Sequence, residues 1–192
     1  SNTALCVGPN IDYVRVVSTN PYTGEAALYI VAQALVGAHF NPKKQEFTVL
    51  EGTLKGTDLV GINYEQLIPW FNPGEGAFRV IPGDYVTTED GTGIVHIAPT
   101  FGADDAKVAR LAGVPGLQVV DKNGDLQAQV DLRGRFFCIE DLDPEYAAAN
   151  MSPEYAEWAG RFVKNAYDPT LDADAPTLDV DICVMLKQQN KA

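Results

Sequence analysis

The sequence predicts an α+β protein with a twisted, barrel-like β core and a few peripheral helices. Short runs of apolar and β-branched residues recur between turn residues along most of the chain, and such runs are typical of strands. Stretches with helical spacing are fewer and lie mainly in the second half. Because 192 residues suffice for one hydrophobic core of ordinary size, we expect a single domain over residues 1–192.

Seven runs are predicted to form strands, and turn residues such as Asn-Pro, Gly and Asp-Gly bound them. An Asn-Gly pair within residues 119–127 also predicts a hairpin. The predicted strands are residues 11–17, 26–36, 47–52, 77–83, 93–99, 117–120 and 126–130.

Three stretches are predicted to be helical. Residues 102–113 carry two aspartates near their start and end at a glycine, which are helix start and stop signals. Residues 152–166 place three aromatic residues at helical spacing after a Ser-Pro pair. Residues 177–191 are predicted to form a last helix, after an irregular connection over residues 168–177.

The charge of the chain argues against a general nucleic-acid binder. Twenty-six acidic and 14 basic residues give a formal net charge of −12, which repels phosphates. Residues 140–181 hold 11 acidic and 2 basic residues, and we interpret them as a solvated face or as a surface that steers a polyanion elsewhere. Residues 139–192 are therefore expected to form an acidic, more helical peripheral part of the domain.

Composition also indicates the cellular compartment in which we expect the protein. No apolar run approaches the roughly 20 residues of a membrane span, so we expect a soluble protein without a membrane partner. Cys6, Cys138 and Cys183 lie far apart without metal-ligand spacing. They indicate neither a disulfide framework nor a zinc site, and they fit the reducing cytoplasm.

The stretch GTGIVHIAPTFGADDAKVAR, residues 91–110, combines one of the two histidines with two aspartates. Alternation places His96 on a strand face with small and branched apolar side chains. Asp104 and Asp105 follow in the first turn of a helix, where exposed amides favour carboxylates. Successive helical residues point about 100° apart, so if Asp104 caps the helix, Asp105 can project back beside the histidine. A satisfied core histidine with two structural aspartates is the alternative interpretation.

This stretch resembles the signature of the editing insertion, connective polypeptide 1, of class I aminoacyl-tRNA synthetases. After GTGxV the valine enzymes typically carry lysine and the leucine enzymes resemble GTGAVMAVPAHDxRD, whereas histidine followed by xAP is the isoleucine pattern. SNTALCVGP (1–9) resembles the end of a threonine-rich segment, WTTTPWTLPxN, that lines the editing pocket, and Asn2 matches its asparagine. LKGTDLVGINYEQL (54–67) resembles KGxxLxGxxYxPL, with Gln66 where proline is usual.

The resemblance implies hydrolysis of the ester between valine and the terminal adenosine of isoleucine tRNA, with valyl-adenylate as a further candidate substrate. His96 and Asp105 are the implied catalytic pair. Asp105 is expected to hold the substrate α-ammonium, and His96 to border the side-chain pocket and exclude isoleucine. Asn2, Thr87 and Thr88 are further candidates for substrate binding, with surface positions as the alternative for the two threonines.

No metal and no cofactor is expected in this domain, although the parent ligase of the family uses ATP and magnesium. The expected partners are the acceptor end of isoleucine tRNA, the valine moiety and the rest of the synthetase chain. We expect an excised domain that lacks the threonine-rich wall of its site and is weakly active or inactive alone. A tRNA-end binding module without activity, the editing domain of a valyl enzyme and a free-standing hydrolase are the alternatives.

Overall fold

The computed structural model describes residues 1–172, 175 and 177–191. The contacts divide the chain into two compact units. The first unit is Ser1–Glu65 with Glu75–Pro115, and the second is Gln66–Gly74 with Gly116–Ala192. A single domain over residues 1–192, with residues 139–192 as its peripheral part, stays a prediction.

The described residues form nine short strands, five α-helices and four 3-10 helices. The strands are β1 (Ala4–Val7), β2 (Asp12–Thr19), β3 (Ala26–Ala32), β4 (Phe47–Val49), β5 (Leu54–Lys55), β6 (Arg79–Pro82), β7 (Ile94–Ile97), β8 (Gln118–Val120) and β9 (Leu126–Ala128). The α-helices are α1 (Val36–His39), α2 (Gly56–Leu59), α3 (Ala103–Ala112), α4 (Pro144–Asn150) and α5 (Leu178–Gln188). The 3-10 helices are Gln33–Leu35, Ile139–Asp141, Pro153–Glu157 and Asn165–Tyr167. Among the described residues, no helix combines the length and the apolar character that a bilayer span requires.

The first unit contains two sheets. In the three-stranded sheet, β1 lies in the centre, parallel to β6 and antiparallel to β7. The second sheet has the order β3-β2-β4, with β5 also paired to β2. The sequence did not predict β1, because its four apolar residues are not preceded by a turn signal. This missed strand pairs with both edge strands of the three-stranded sheet, β6 and β7.

Two clusters of buried side chains stabilise the first unit. One packs α3 against the three-stranded sheet and includes Cys6, Ile97 and Ala109. The other includes Tyr13 and Val16 of the four-stranded sheet. Burying such side chains contributes about 1.5–3 kcal/mol each relative to exposure, so the short strands owe their stability mainly to these clusters.

The predicted α+β class with few helices is confirmed. Within the described part of the chain, the strands form sheets of three, four and two strands, and no closed barrel. The barrel-like core of the prediction is therefore an open arrangement of separate small sheets. The hairpin predicted for residues 119–127 is confirmed as β8 and β9, with φ of 86° at Gly124 in the turn.

The helix predicted for residues 152–166 is wrong. The range contains only the 3-10 helix Pro153–Glu157 and the start of the 3-10 helix Asn165–Tyr167, and the chain turns between them at Gly160, whose φ is 77°. Two of the three aromatic side chains pack on Trp70 instead, with ring centroids 5.9 Å away for Tyr155 and 5.1 Å away for Trp158. Their spacing thus reflects long-range packing and not a helical face.

Two further helices lie in the second unit. α4 was missed, although its Asp-Pro start is a usual signal: Asp143 accepts a hydrogen bond from Tyr146 N at 2.8 Å and caps the helix. The helix predicted for residues 177–191 is confirmed as α5. In the predicted irregular connection over 168–177, positions 173, 174 and 176 lie outside the described residues.

Candidate functional site

The signature stretch folds into a strand, a tight turn and a helix. β7 ends at Ile97, and the carbonyl oxygen of Ala98 then accepts hydrogen bonds from Phe101 N at 3.0 Å and Gly102 N at 3.1 Å. α3 begins directly after Gly102 and ends at Ala112, and the Gly113 that follows has a φ of 68°, which favours glycine. The predicted strand and helix are both confirmed, and the turn between them is closed by its own backbone.

Asp105 points back from the helix to the end of the strand. Its Oδ2 accepts a hydrogen bond from Ala98 N at 2.8 Å, and the residue is half-buried. A Cβ added at Gly102 would lie 3.0 Å from Cγ and Oδ2 of Asp105, so the glycine gives the carboxylate the space for this contact. The return of Asp105 to the end of the strand is as the spacing predicted, and its position beside His96 stays a prediction.

Asp104 does not cap the helix as the spacing argument supposed. The cap position is Gly102, and no side chain accepts a hydrogen bond there. Asp104 is exposed and is the second residue of α3, whereas a capping side chain belongs to the residue before the first helical one. The supposed cap was two residues off, but the two aspartates still differ in environment, since Asp104 is exposed and Asp105 is half-buried.

His96 is exposed on β7, opposite Leu5 of the central strand β1. No hydrogen-bond partner of its ring is found within the described ranges. A satisfied core histidine is therefore excluded. Ala98, where the Asp105 carboxylate is held, is two residues further on, roughly 7 Å along the extended chain. The structure thus brings His96 and Asp105 to the same end of the sheet.

Asn2 lies two residues before the start of β1, at this same end, because Ala4 pairs with Ile97. Its Nδ2 donates a hydrogen bond to the carbonyl oxygen of Ala4 at 2.7 Å. Its Oδ1 accepts one from the hydroxyl of Tyr64. Sequence reasoning missed Tyr64, since no local signal connects positions 62 residues apart.

Thr87 and Thr88 are exposed in the connection between β6 and β7. Among the described residues, no hydrogen bond joins their side chains to His96, Asp105 or Asn2. Their role in substrate binding stays a prediction.

His39, the second histidine, is exposed. Its Nε2 donates to the carbonyl oxygen of Gly91 at 2.6 Å. It therefore contacts the first glycine of the signature, a contact that sequence reasoning did not identify.

Two neutral groups lie close to Asp105. Cys6 is buried and hydrogen-bonded to Tyr85. Burial raises the pKa of the Cys6 thiol, and the charge of Asp105 adds to the rise. Burial, followed by the contact with Cys6, likewise raises the pKa of Tyr85. Neither group is ionised at neutral pH, so Cys6 is not a thiolate nucleophile.

No group of three or more His, Cys, Asp or Glu side chains that could hold a metal ion is found in the part of the chain that the structure describes. A reaction without metal or cofactor stays a prediction that rests on the resemblance.

Thr3 provides a test of the packing beside the site. It is fully buried, its N donates to Ile97 O at 3.0 Å and its carbonyl oxygen accepts from Phe78 N at 2.6 Å. Its hydroxyl, however, has no partner among the described residues. We expect Thr3→Val, which keeps the shape, to raise the free energy of unfolding in urea by about 1 kcal/mol.

The matched control for this substitution is Thr3→Ser, which keeps the hydroxyl and removes a buried methyl group. It is expected to lower the free energy of unfolding by about 1 kcal/mol. A loss of stability in the valine variant would show that the hydroxyl has a partner, such as a buried water molecule.

Comparison with known proteins shows that the sequence of this chain is similar to those of one group of enzymes. No family model matches the sequence. The chain is 57% identical to the isoleucine-tRNA ligase of Bacteroides fragilis and 52% identical to that of Porphyromonas gingivalis. It is also 46% identical to the isoleucine-tRNA ligase of Bacteroides thetaiotaomicron.

Each of these matches covers 100% of this chain but only 18–20% of the relative. The chain therefore spans about a fifth of the length of the curated relatives it matches. A crystal structure of GlLeuRS-CP1 matches with a TM-score of 0.36 and 19% identity, over 58% of this chain and 42% of that chain.

Proposed function

Because the chain belongs to the isoleucine-tRNA ligase family, we propose that it is the editing domain of such a ligase. In this proposal it hydrolyses the ester that joins wrongly attached valine to the end of isoleucine tRNA, and valyl-adenylate is a second candidate substrate. The observation that carries the proposal is the Asp105 carboxylate held on Ala98 N, two residues along the chain from the exposed His96. The three relatives named above are isoleucine enzymes, which favours this substrate over the valyl alternative.

Asp105 has the features of a site for the substrate α-ammonium. Its Oδ2 is occupied by Ala98 N at 2.8 Å, and among the described residues its Oδ1 has no hydrogen-bond partner. One oxygen fixes the carboxylate while the other stays open to a cation. A charge-assisted contact of this kind orients the aminoacyl group and leaves the ester carbonyl free for attack.

His96 has the features of a wall that limits side-chain size. Its exposed ring lies across from Leu5 and is not used in a hydrogen bond within the described part of the chain. A missing methylene is worth only about 1–3 kcal/mol in an apolar pocket, a value for which isoleucine and valine are the standard example. A second site that admits valine and excludes the larger side chain would remove the resulting errors.

The reaction needs no protein nucleophile. Water attacks the ester carbonyl, the bond between the carbonyl carbon and the ribose oxygen breaks, and that oxygen leaves as a hydroxyl after taking a proton. Cys6 is buried with a raised pKa and does not compete as a nucleophile. We assign the positioning of the water to the site residues together with the neighbouring ribose hydroxyl.

The proposal names its partners. These are the acceptor end of isoleucine tRNA, the valine moiety and the remainder of the ligase chain. ATP and magnesium would serve aminoacylation in the parent ligase and not this domain. A cytoplasmic location is part of the same proposal.

Deletion tests the proposal in a full-length ligase that carries this segment. Residues 1–192 are replaced by a short Gly-Ser linker, and isoleucine aminoacylation reports whether the remaining enzyme is folded. We expect the intact ligase to deacylate valine-charged isoleucine tRNA and the deleted one to have lost this activity. Equal deacylation by the two proteins would favour the alternative of a binding module without activity.

A further inference from the structure

Tyr64 and Phe78 form a clamp around the segment that begins with Asn2. The Tyr64 hydroxyl donates a hydrogen bond to Asn2 Oδ1. The backbone connects the same residues, because Tyr64 N donates to Phe78 O at 2.8 Å and Phe78 N donates to Thr3 O at 2.6 Å. The two rings also pack edge to face, with centroids 5.9 Å apart and planes at 79°. Asn2 is thus held by a residue that is itself fixed on two sides.

Phe78 has a backbone conformation that a phenylalanine rarely adopts. Its φ is 58°, in the left-handed region. Such a residue persists only where the surrounding structure determines its conformation, and such residues cluster at sites that need pre-organised geometry. Here the backbone hydrogen bonds of Phe78 to Thr3 and Tyr64 hold its backbone in this conformation. The clamp is therefore more rigid than an ordinary loop contact.

The two hydrogen bonds of Asn2 set the orientation of its amide. Oδ1 accepts from Tyr64, and one hydrogen of Nδ2 is donated to Ala4 O at 2.7 Å. The second hydrogen of Nδ2 has no partner in the part of the chain that the structure describes. Asn2 is only half-buried, so this N–H is available to a bound molecule.

The Tyr64 hydroxyl donates its hydrogen bond to Asn2 over a wide pH range. Burial raises the pKa of Tyr64 to about 12, so the group keeps its hydrogen through the pH range in which aminoacyl esters are assayed. The orientation of the Asn2 amide is accordingly independent of pH in that range.

We propose that Tyr64 is a positioning residue of the site: it holds the Asn2 amide so that its free N–H donates to an oxygen of the bound aminoacyl ester. This rests on the proposed function. An N–H that is already oriented stabilises developing negative charge on that oxygen better than one that must first reorient. Without the hydroxyl, the amide is held by the Ala4 contact alone and can rotate about it.

The test is a double-mutant cycle in a full-length ligase that carries this segment. Single-turnover deacylation of valine-charged isoleucine tRNA is measured for the unaltered enzyme, Tyr64→Phe, Asn2→Ala and the combined variant. Loss of one neutral hydrogen bond predicts a rate about three- to tenfold lower for Tyr64→Phe at saturating enzyme. In the Asn2→Ala background the same substitution is expected to change the rate less than about twofold, because Tyr64 acts only through Asn2.

Tyr146→Phe is the matched control. Tyr146 donates its hydroxyl to Gln118 O at 2.7 Å in the second unit, and burial raises its pKa to about 12 as well. Its variant should deacylate at the unaltered rate.

Three outcomes would overturn the Tyr64 inference while the proposed function stands: an unchanged rate in Tyr64→Phe, an equal loss in both backgrounds, or a similar loss in Tyr146→Phe. Absence of deacylation by the unaltered enzyme would instead overturn the proposed function, and the inference with it.

Discussion

Replacement of Asp105 by asparagine is expected to slow deacylation of valine-charged isoleucine tRNA by roughly 10- to 100-fold, the value of a charge-assisted hydrogen bond. The asparagine Oδ1 can still accept the hydrogen bond from Ala98 N, so the turn before α3 should keep its geometry. Only the negative charge that would hold the α-ammonium is removed. Single-turnover deacylation in a full-length ligase measures the effect, and isoleucine aminoacylation reports folding.

Asp104→Asn is the matched control for Asp105. Asp104 is in the same helical turn but is exposed, and within the described residues its side chain makes no hydrogen bond. Its variant should stay within about twofold of the unaltered rate. An unchanged rate in the Asp105 variant, or an equal loss in both variants, would remove Asp105 from substrate binding.

Truncation of His96 to alanine is expected to let the enzyme hydrolyse correctly charged isoleucine tRNA. The ring is exposed opposite Leu5, so its removal opens space for the extra methylene that separates isoleucine from valine. His96→Gln, which keeps a similar reach, should retain the valine reaction and still exclude isoleucine. The measurement is the ratio of the single-turnover deacylation rates for the two charged tRNAs in each variant.

A general base at position 96 predicts a different pattern. Both variants would then lose roughly 10²-fold or more of the valine reaction, and neither would attack the isoleucine ester. That result would replace the steric role of His96 with a catalytic one.

Local signals were sufficient for two of the elements that carry the site, β7 and α3, but not for the central strand β1. Residue alternation predicted the strand that became β7, and the aspartates with a glycine stop predicted α3. The return of Asp105 toward the strand end followed from helical geometry. The cap was misassigned because the exact start of a helix depends on backbone torsions that sequence signals fix only to within a residue or two.

Contacts between distant positions were not predictable in the same way. The bond from Tyr64 to Asn2 joins residues 62 apart, and Tyr64 is also bonded to Phe78, whose backbone is in the left-handed region. The false helix over residues 152–166 has a related cause, because Trp158 packs on Trp70, which is distant in sequence. Spacing alone does not separate a helical face from residues that converge on one remote partner.

The central claim is that the site around Asp105 destroys valine esters and spares isoleucine esters. The most direct test is the ratio of single-turnover deacylation rates for valine-charged and isoleucine-charged isoleucine tRNA, measured with an intact ligase that carries this segment. We predict rapid loss of valine, little loss of isoleucine, and a ratio that falls toward one in Asp105→Asn. Equal rates for the two esters in the intact enzyme, or a ratio that Asp105→Asn leaves unchanged, would contradict the account.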